Sequence, residues 1–276
     1  MKLYGYLGVF LIAFAVINFY LVLQPFALLY IPIIWFGYIF IVDSLVFKLR
    51  KKSFVASYPK EFLLMVLVSV PFWGISEFYN FYSSTWIYGN YLWYVHVIDF
   101  LTILPAVAET FALVSALRIF EGLRVKLSNG IRDRHVKLAG ILFLLLGAFF
   151  LVSPFALGFQ PFPLVWLGLF MFLDPINLMI GNDSIFGYFM KGDYRRIPRL
   201  SLAGLIMGFF WELWNYLAYP KWAYNMPWLP LSNVKIFAMP LLGYLGYLPF
   251  ALSVYAFYTL VRTPLFGSKK NPLEGI

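Results

Sequence analysis

The sequence predicts an all-α, polytopic membrane protein with about eight transmembrane helices arranged as two parallel four-helix repeats. Three observations lead to this prediction: the composition, the spacing of the apolar runs and the distribution of basic residues. Of the 276 residues, 62% are apolar and only 12% are charged, which is not the balance of a soluble domain. Cysteine is absent, and this excludes disulfides, thiolate metal ligands and cysteine nucleophiles.

Eight apolar runs are long enough to cross a bilayer. A transmembrane helix needs roughly 20 predominantly apolar residues. The first run follows a single lysine and has no small-residue cleavage pattern, so we expect a retained span and not a signal peptide. The eight runs lie at residues 3–23, 28–47, 61–80, 97–120, 138–157, 162–181, 201–219 and 237–262.

The basic residues are concentrated on one side of the predicted helices. With the N-terminus in the cytoplasm, all of the 21 Lys and Arg residues except Lys221 and Lys235 fall in inner segments. The positive-inside rule therefore predicts that both termini are cytoplasmic, and we expect the membrane to be the cytoplasmic membrane of a prokaryote. Because topology explains the net charge of +9, we expect no nucleic-acid partner.

Two pairs of similar segments predict the internal repeat. PIIWFGYIFIVD at 32–43 matches PLVWLGLFMFLD at 163–174, and EFYNFYSSTWIY at 77–88 matches ELWNYLAYPKWAY at 212–224 with one insertion. Each half contains four spans, an even number, so the repeats are expected to be parallel. The predicted divisions are a first repeat at 1–120, a basic cytoplasmic linker at 121–137, a second repeat at 138–262 and a cytoplasmic tail at 263–276.

Two aspartates occupy equivalent positions in these repeats. Asp43 and Asp174 lie near the predicted cytoplasmic ends of the second and sixth helices. The free-energy cost of a carboxylate is small where water and the basic side chains of a loop are near. We therefore expect Asp43 and Asp174 to pair with Lys or Arg residues of the inner loops. A functional role for the two aspartates is the alternative.

Two glutamates lie deeper in the predicted membrane. Glu77 and Glu212 sit about one turn inside the outer ends of the third and seventh helices, and each has an asparagine, Asn80 or Asn215, three residues later on the same face. A carboxyl at this depth has a high free-energy cost, and it normally faces the bundle interior, where it has a hydrogen-bonding partner or a functional role. A pseudo-two-fold axis would bring both carboxyls towards one cavity. The alternative is that each carboxyl only binds the Trp or Tyr that follows it.

The aromatic content predicts what lines such a cavity. Aromatic residues make up 22% of the chain, more than an interfacial belt of Trp and Tyr requires. Ring faces stabilise a cation by about 1–2 kcal/mol when it is desolvated. The outer loops at 81–96 and 220–236 are rich in Trp, Tyr and Pro. We expect these loops to cover the cavity as lids, with Trp86 and Trp222 at the membrane interface, although an ordinary aromatic belt is the alternative.

The order of motifs is repeated in the two halves. A Glu/Asn pair and a Trp-x-Tyr segment precede a span that opens with proline, as in LPAVAETF at 104–111 and MPLLGYLGYLPF at 239–250. This order resembles the tandem integral-membrane carotenoid (lycopene) cyclase domains and the related carotenoid hydratases, in which the span begins Pro-x-Glu-Glu. Here Glu109 is displaced from that position, and no acid follows Pro240 within the span 237–262. The second half also resembles uncharacterised bacterial membrane proteins, which implies no activity.

The resemblance implies an acid-catalysed, redox-neutral cyclase or hydratase that binds a lipid-soluble isoprenoid or carotenoid-like molecule. Its acid role would fall to Glu77, Glu212 and Glu109. A proton- or cation-coupled transporter and a non-catalytic lipid- or pigment-binding subunit of a membrane complex are the alternatives. Expected partners are a membrane lipid or isoprenoid ligand, and either another subunit or a second copy of the chain. The expected ligand contacts are Asn80, Asn215, Trp86, Tyr88, Trp211, Trp214, Trp222 and Tyr224.

Several other chemistries lack their residues. His96 and His135 are the only histidines, and they fall on opposite sides of the predicted membrane, so they cannot hold one metal or haem together. The sequence has no HExxH, P-loop or GxSxG pattern. We therefore expect neither a bound metal nor a cofactor.

Overall fold

The computed structural model describes residues 1–89, 92–125, 133–157, 162–267 and 272. This described part of the chain is 75% helical with almost no sheet. Its first half contains α1 (Leu3–Leu21), α2 (Tyr30–Arg50), α3 (Phe54–Ser57), α4 (Pro59–Ser83), β1 (Trp86–Tyr88), α5 (Trp93–Phe100) and α6 (Ile103–Ala116). Its second half contains α7 (Asp133–Leu157), α8 (Phe162–Met179), α9 (Ile185–Met190), α10 (Arg196–Leu217), β2 (Trp222–Tyr224), β3 (Lys235–Ile236), β4 (Met239–Pro240) and α11 (Tyr247–Phe266).

Six helical segments of the described chain are long and apolar enough to cross a membrane. They are α1, α2, α4, α5 with α6, α7, and α11 with the turn before it. Helix α8 is apolar but shorter over Pro163–Met179, and the 22-residue α10 carries Arg196, Arg199 and Glu212. The prediction of a polytopic helical membrane protein is confirmed, whereas the number of eight spans and the orientation of the termini stay predictions.

Two predicted spans are interrupted in the structure. The run at 97–120 is divided into α5 and α6, where Thr102 donates its hydroxyl to the carbonyl of Asp99 at 2.7 Å and Pro105 supplies no N–H. The run at 237–262 begins in β4 and a 3₁₀ turn, and its α-helix starts only at Tyr247. Glycine and proline near the start of this run explain the delay, because neither supports a regular helix.

Close backbone contacts join α1 to α2 and α7 to α8. A Cβ atom on Gly8 would lie 2.6 Å from the carbonyl oxygen of Gly37, and one on Gly147 would lie 2.9 Å from that of Gly168. Small residues of this kind let membrane helices approach each other closely. Helix α1 packs closely on α2, and α7 packs closely on α8 with further contacts to α4 and α9. Both α1 and α7 leave most of their apolar surface exposed.

Asp43 and Asp174 hold the chain where it turns at the ends of α2 and α8. Asp43 accepts hydrogen bonds from the Ser53 hydroxyl at 2.7 Å and from a backbone N–H of α3 at 2.8 Å. Asp174 accepts from the Ser184 hydroxyl at 2.7 Å and from two N–H groups of α9 at 2.9 and 2.8 Å. The expected pairing with basic residues is therefore wrong, because the free N–H groups at the starts of α3 and α9 take the carboxylates.

Ionic contacts connect the two halves on the side of the bundle opposite β1 and β2. Arg262 on α11 binds Glu61 on α4 through two hydrogen bonds, of 2.5 and 2.9 Å, and both side chains are buried. The Tyr258 hydroxyl donates to the same carboxylate. On the exposed surface, Arg195 and Arg199 bind Glu121 at 2.6 and 2.9 Å, and their hydrogen bonds lower the pKa of Glu121.

The strands β1 and β2 form a two-stranded antiparallel ribbon. Trp86 lies opposite Tyr224, and Tyr88 lies opposite Trp222. Both tryptophans are buried, with 6% and 7% of their surface exposed. Pairing of the strands turns both indoles into the bundle, and their expected position at the level of the membrane interface stays a prediction.

Candidate functional site

A cavity beside the ribbon brings together most of the tryptophans of the chain. Seven of the nine tryptophans line it, and they come from four helices, both strands and one loop. We call it the tryptophan cavity. Its water-accessible volume is about 70 Å³, room for roughly five waters or for one compact end group of a larger molecule. The tryptophans of its wall are Trp35, Trp73, Trp86, Trp166, Trp211, Trp222 and Trp228.

Asn80 and Asn215 hold the two strands of the ribbon in place. The Asn80 side chain donates to the carbonyl oxygen of Trp86 and accepts from its N–H, both at 3.0 Å. Asn215 makes the same two hydrogen bonds to Trp222, again at 3.0 Å. The asparagines therefore position the strands and, through them, two walls of the cavity. Neither belongs to the described residues that line the cavity.

The carboxyl of Glu77 lies directly behind the cavity wall. Its Oε1 accepts from the Trp73 indole at 2.7 Å, from the Tyr88 hydroxyl at 2.5 Å and from the Trp86 indole at 3.3 Å. All three donors belong to residues that line the tryptophan cavity. Glu77 is therefore separated from the cavity by one layer of aromatic side chains, and it binds the N–H and O–H groups of that layer.

Glu212 holds the equivalent position behind the opposite strand. Its Oε1 accepts from the Tyr224 hydroxyl at 2.5 Å and from the Tyr247 hydroxyl at 2.7 Å. The side chain is fully buried, and its Oε2 has no hydrogen-bond partner among the described residues. Both glutamates bind the tyrosine that follows in the Trp-x-Tyr segment, as the structural alternative predicted, and both also border one cavity.

The tyrosine hydroxyls are the groups that connect carboxyl and cavity. Burial raises the pKa of both Tyr88 and Tyr224 well above its ordinary value. Each hydroxyl therefore keeps its proton and is a donor at neutral pH. The Trp86 and Trp222 indoles bind the hydroxyls of Tyr88 and Tyr224 at 3.1 and 2.8 Å, so each strand carries the same chain of polar groups.

Two other predicted site residues lie outside the cavity lining. Trp214 packs edge-on against Trp35, with ring centroids 4.4 Å apart, and is not among the described lining residues. Glu109 is fully buried on α6, where Asp43 is an acidic neighbour. Neither Glu109 oxygen has a hydrogen-bond partner in the part of the chain that the structure describes. Glu109 is therefore not grouped with Glu77 and Glu212.

The structure adds two polar residues that the sequence did not single out. His96 and Asp99 on α5 line the tryptophan cavity, and the His96 ring contacts the Tyr88 ring with centroids 4.1 Å apart. The Asp99 Oδ1 is buried and has no partner among the described residues. Their spacing of three residues places both on one helix face. This spacing is visible in the sequence, but only the position of α5 shows that the shared face borders a cavity.

Metal binding and similarity to known proteins give no further guide to the site. Within the described residues, no group of three or more His, Cys, Asp or Glu side chains could hold a metal ion. Comparisons of the chain with protein-family models, curated proteins and solved structures gave no significant match. The function is therefore argued from the geometry of the site.

Proposed function

We propose that this membrane protein binds the end group of a lipid-soluble, isoprenoid-like molecule in the tryptophan cavity and catalyses a redox-neutral, acid-dependent reaction at a carbon–carbon double bond. The observation that carries the proposal is the gathering of seven of the nine tryptophans around one cavity with carboxyls behind its wall. Aromatic walls favour apolar ligands and also stabilise a cation that forms between them.

The size of the cavity limits what it encloses. With a water-accessible volume of about 70 Å³, it has space for an end group and not for a whole polyene. The rest of a long apolar ligand would extend from the cavity into the bilayer. An apolar chain is not exposed to water there, so it carries no hydration cost. A molecule with one reactive end and a long hydrocarbon chain therefore fits the site.

The proton route proposed here runs through tyrosine. A protonated Glu212, which is fully buried, donates to the Tyr224 oxygen, and the Tyr224 O–H then points at the ligand. When the tyrosine proton passes to an alkene carbon, the π electrons form the new C–H bond and the neighbouring carbon becomes cationic. The Glu212 proton then moves to the tyrosine oxygen and leaves a carboxylate. Glu77 holds the equivalent position behind Tyr88 on the other strand.

The cation is then discharged without an oxidant or a reductant. A second double bond of the ligand attacks the cationic carbon to close a ring, and loss of a neighbouring proton along the same tyrosine path restores the acid. Addition of water followed by loss of a proton gives the hydrated product instead. In both cases the carboxyl is protonated again at the end of the reaction. Ring closure is an isomerisation of the ligand, and addition of water is a hydration.

The proposal includes the architecture of two parallel four-helix repeats with cytoplasmic termini. It is supported by contacts that recur at matching positions: the aspartates with Ser53 and Ser184, the asparagines with their strands, and the glutamates with their tyrosines. Reporter fusions at Val125 and at the C-terminus should both report the cytoplasm. An external reporter at either position contradicts this architecture.

Binding and catalysis can be tested separately on protein reconstituted in nanodiscs. Lycopene binding should quench tryptophan fluorescence, and incubation should convert lycopene to a cyclised or hydrated product. The Glu77→Gln, Glu212→Gln double variant keeps the acceptors for the tyrosines, so we expect it to bind lycopene and form no product. The matched control Glu121→Gln removes a carboxyl outside the site. Binding without conversion by the unaltered protein contradicts catalysis, and absence of binding contradicts the whole proposal.

A further inference from the structure

We infer that the tryptophan cavity accepts a substituted ammonium group, with Asp99 as its counter-ion. This goes beyond the proposed function and shares with it only the cavity. The inference assigns a ligand class to a site in which an unpartnered carboxylate oxygen and aromatic faces meet.

The charge of the cavity favours a cation. Asp99 is a lining residue, and its buried Oδ1 has no partner in the part of the chain that the structure describes. Among the described lining residues there is no Lys or Arg. An unpaired buried carboxylate is costly unless an opposite charge joins it, and a cationic ligand supplies that charge.

The wall of the cavity has the chemistry of an aromatic cage. Indole rings are the best aromatic partners of a cation, and alkylated ammonium groups are recognised by such cages because their charge is spread over methyl groups that need no hydrogen bonds. A primary ammonium would need three acceptors, whereas the wall offers chiefly ring faces. The cavity therefore suits a quaternary or tertiary ammonium better than a lysine-like amine.

The size also agrees with this ligand class. A trimethylammonium head is compact, and the cavity of about 70 Å³ has room for one such head. The apolar part of the ligand would remain outside the cavity. A ligand of this class is a lipid-soluble molecule that ends in a methylated ammonium group.

The test compares choline with its neutral carbon isostere, 3,3-dimethylbutan-1-ol, by titration of tryptophan fluorescence in nanodiscs. The two probes have nearly the same shape, so their difference in affinity measures the preference for charge. We expect choline to bind at least about tenfold more tightly, which corresponds to about 1.4 kcal/mol. Equal affinities overturn the inference.

Substitutions of Asp99 test whether this residue causes the higher affinity for choline than for its neutral isostere. Asp99→Asn should reduce the ratio of the two affinities to near one, whereas Asp99→Glu should retain a preference for choline, and Glu121→Gln should leave the ratio unchanged. A ratio that survives Asp99→Asn overturns the role of Asp99. Lycopene binding without a choline preference overturns this inference alone, while a choline preference without lycopene binding overturns the proposed function alone.

Discussion

Replacing Asn215 by leucine should destabilise the protein strongly. The Asn215 amide satisfies both backbone polar groups of Trp222 at 3.0 Å, and its own surface is fully buried. Leucine has a similar size but leaves a buried N–H and a buried carbonyl without partners. Each unsatisfied group costs about 1–3 kcal/mol, so we expect a loss of about 2–6 kcal/mol in the free energy of unfolding.

Three matched variants make this prediction specific. Asn215→Asp keeps the acceptor for the Trp222 N–H but places a buried carboxylate oxygen against the Trp222 carbonyl oxygen, so it should cost at least as much as Asn215→Leu. Asn80→Leu removes the same pair of hydrogen bonds from Trp86 and should cost about the same as Asn215→Leu. Asn233→Leu alters an exposed residue and should change stability by no more than about 0.5 kcal/mol.

Unfolding with sodium dodecyl sulfate from mixed micelles, followed by tryptophan fluorescence, provides the measurement. A cost below about 1 kcal/mol for Asn215→Leu would mean that water or another group replaces the amide, and it would refute the reasoning. A large cost for Asn215→Leu together with a small one for Asn80→Leu would refute the equivalence of the two strands.

Three further predictions concern packing, ion pairing and pH. Gly147→Ala should cost about 3 kcal/mol, because its Cβ would lie 2.5 Å from a backbone nitrogen of α8; unfolding in mixed micelles measures this. Glu61→Gln should cost about 3–5 kcal/mol in the same assay, because it leaves the buried Arg262 without its carboxylate. Hydrogen bonds from Arg195 lower the pKa of Glu121 below its ordinary value of 4.5. The ionised Glu121 carboxylate therefore stabilises the folded state above pH 4.5, and this stabilisation is lost as the pH falls through the folded-state pKa. The stability difference between the unaltered protein and Glu121→Gln should therefore shrink on acidification.

Each of these predictions has a control. A Cβ on Gly74 meets nothing within 4 Å, so Gly74→Ala should be tolerated, and equal losses for Gly74→Ala and Gly147→Ala contradict the packing argument. Replacing Glu61 and Arg262 together by apolar residues should recover part of the loss seen with Glu61→Gln. A pH-independent difference between Glu121→Gln and the unaltered protein contradicts the third prediction.

Much of the helical framework follows from local properties of the chain. Apolar runs of sufficient length can satisfy their backbone in a membrane only as helices, so α1, α2 and α4 were predicted close to their observed bounds. The breaks were harder to predict. Pro105 and the glycines before Tyr247 lie within apolar runs, and only the packing of neighbouring helices decides whether such residues bend a helix or end it.

The candidate site was predictable in its members but not in its arrangement. The sequence pointed to Glu77, Glu212 and the tryptophans that follow them, because a carboxyl at membrane depth is rare. It did not show that the asparagines bind backbone, which depends on how the strands turn. Asp99 was missed because it lies at the outer end of the predicted span 97–120, and only tertiary packing brings it to an aromatic wall.

The pairing of the ribbon has a consequence for how a substitution on one strand acts on the other. Trp86 lies opposite Tyr224 and Tyr88 lies opposite Trp222, while Tyr88 binds Glu77 and Tyr224 binds Glu212. Each tryptophan therefore packs beside the tyrosine that binds the glutamate of the other strand. A change of side chain on either strand is transmitted in this way to the carboxyl behind the opposite one.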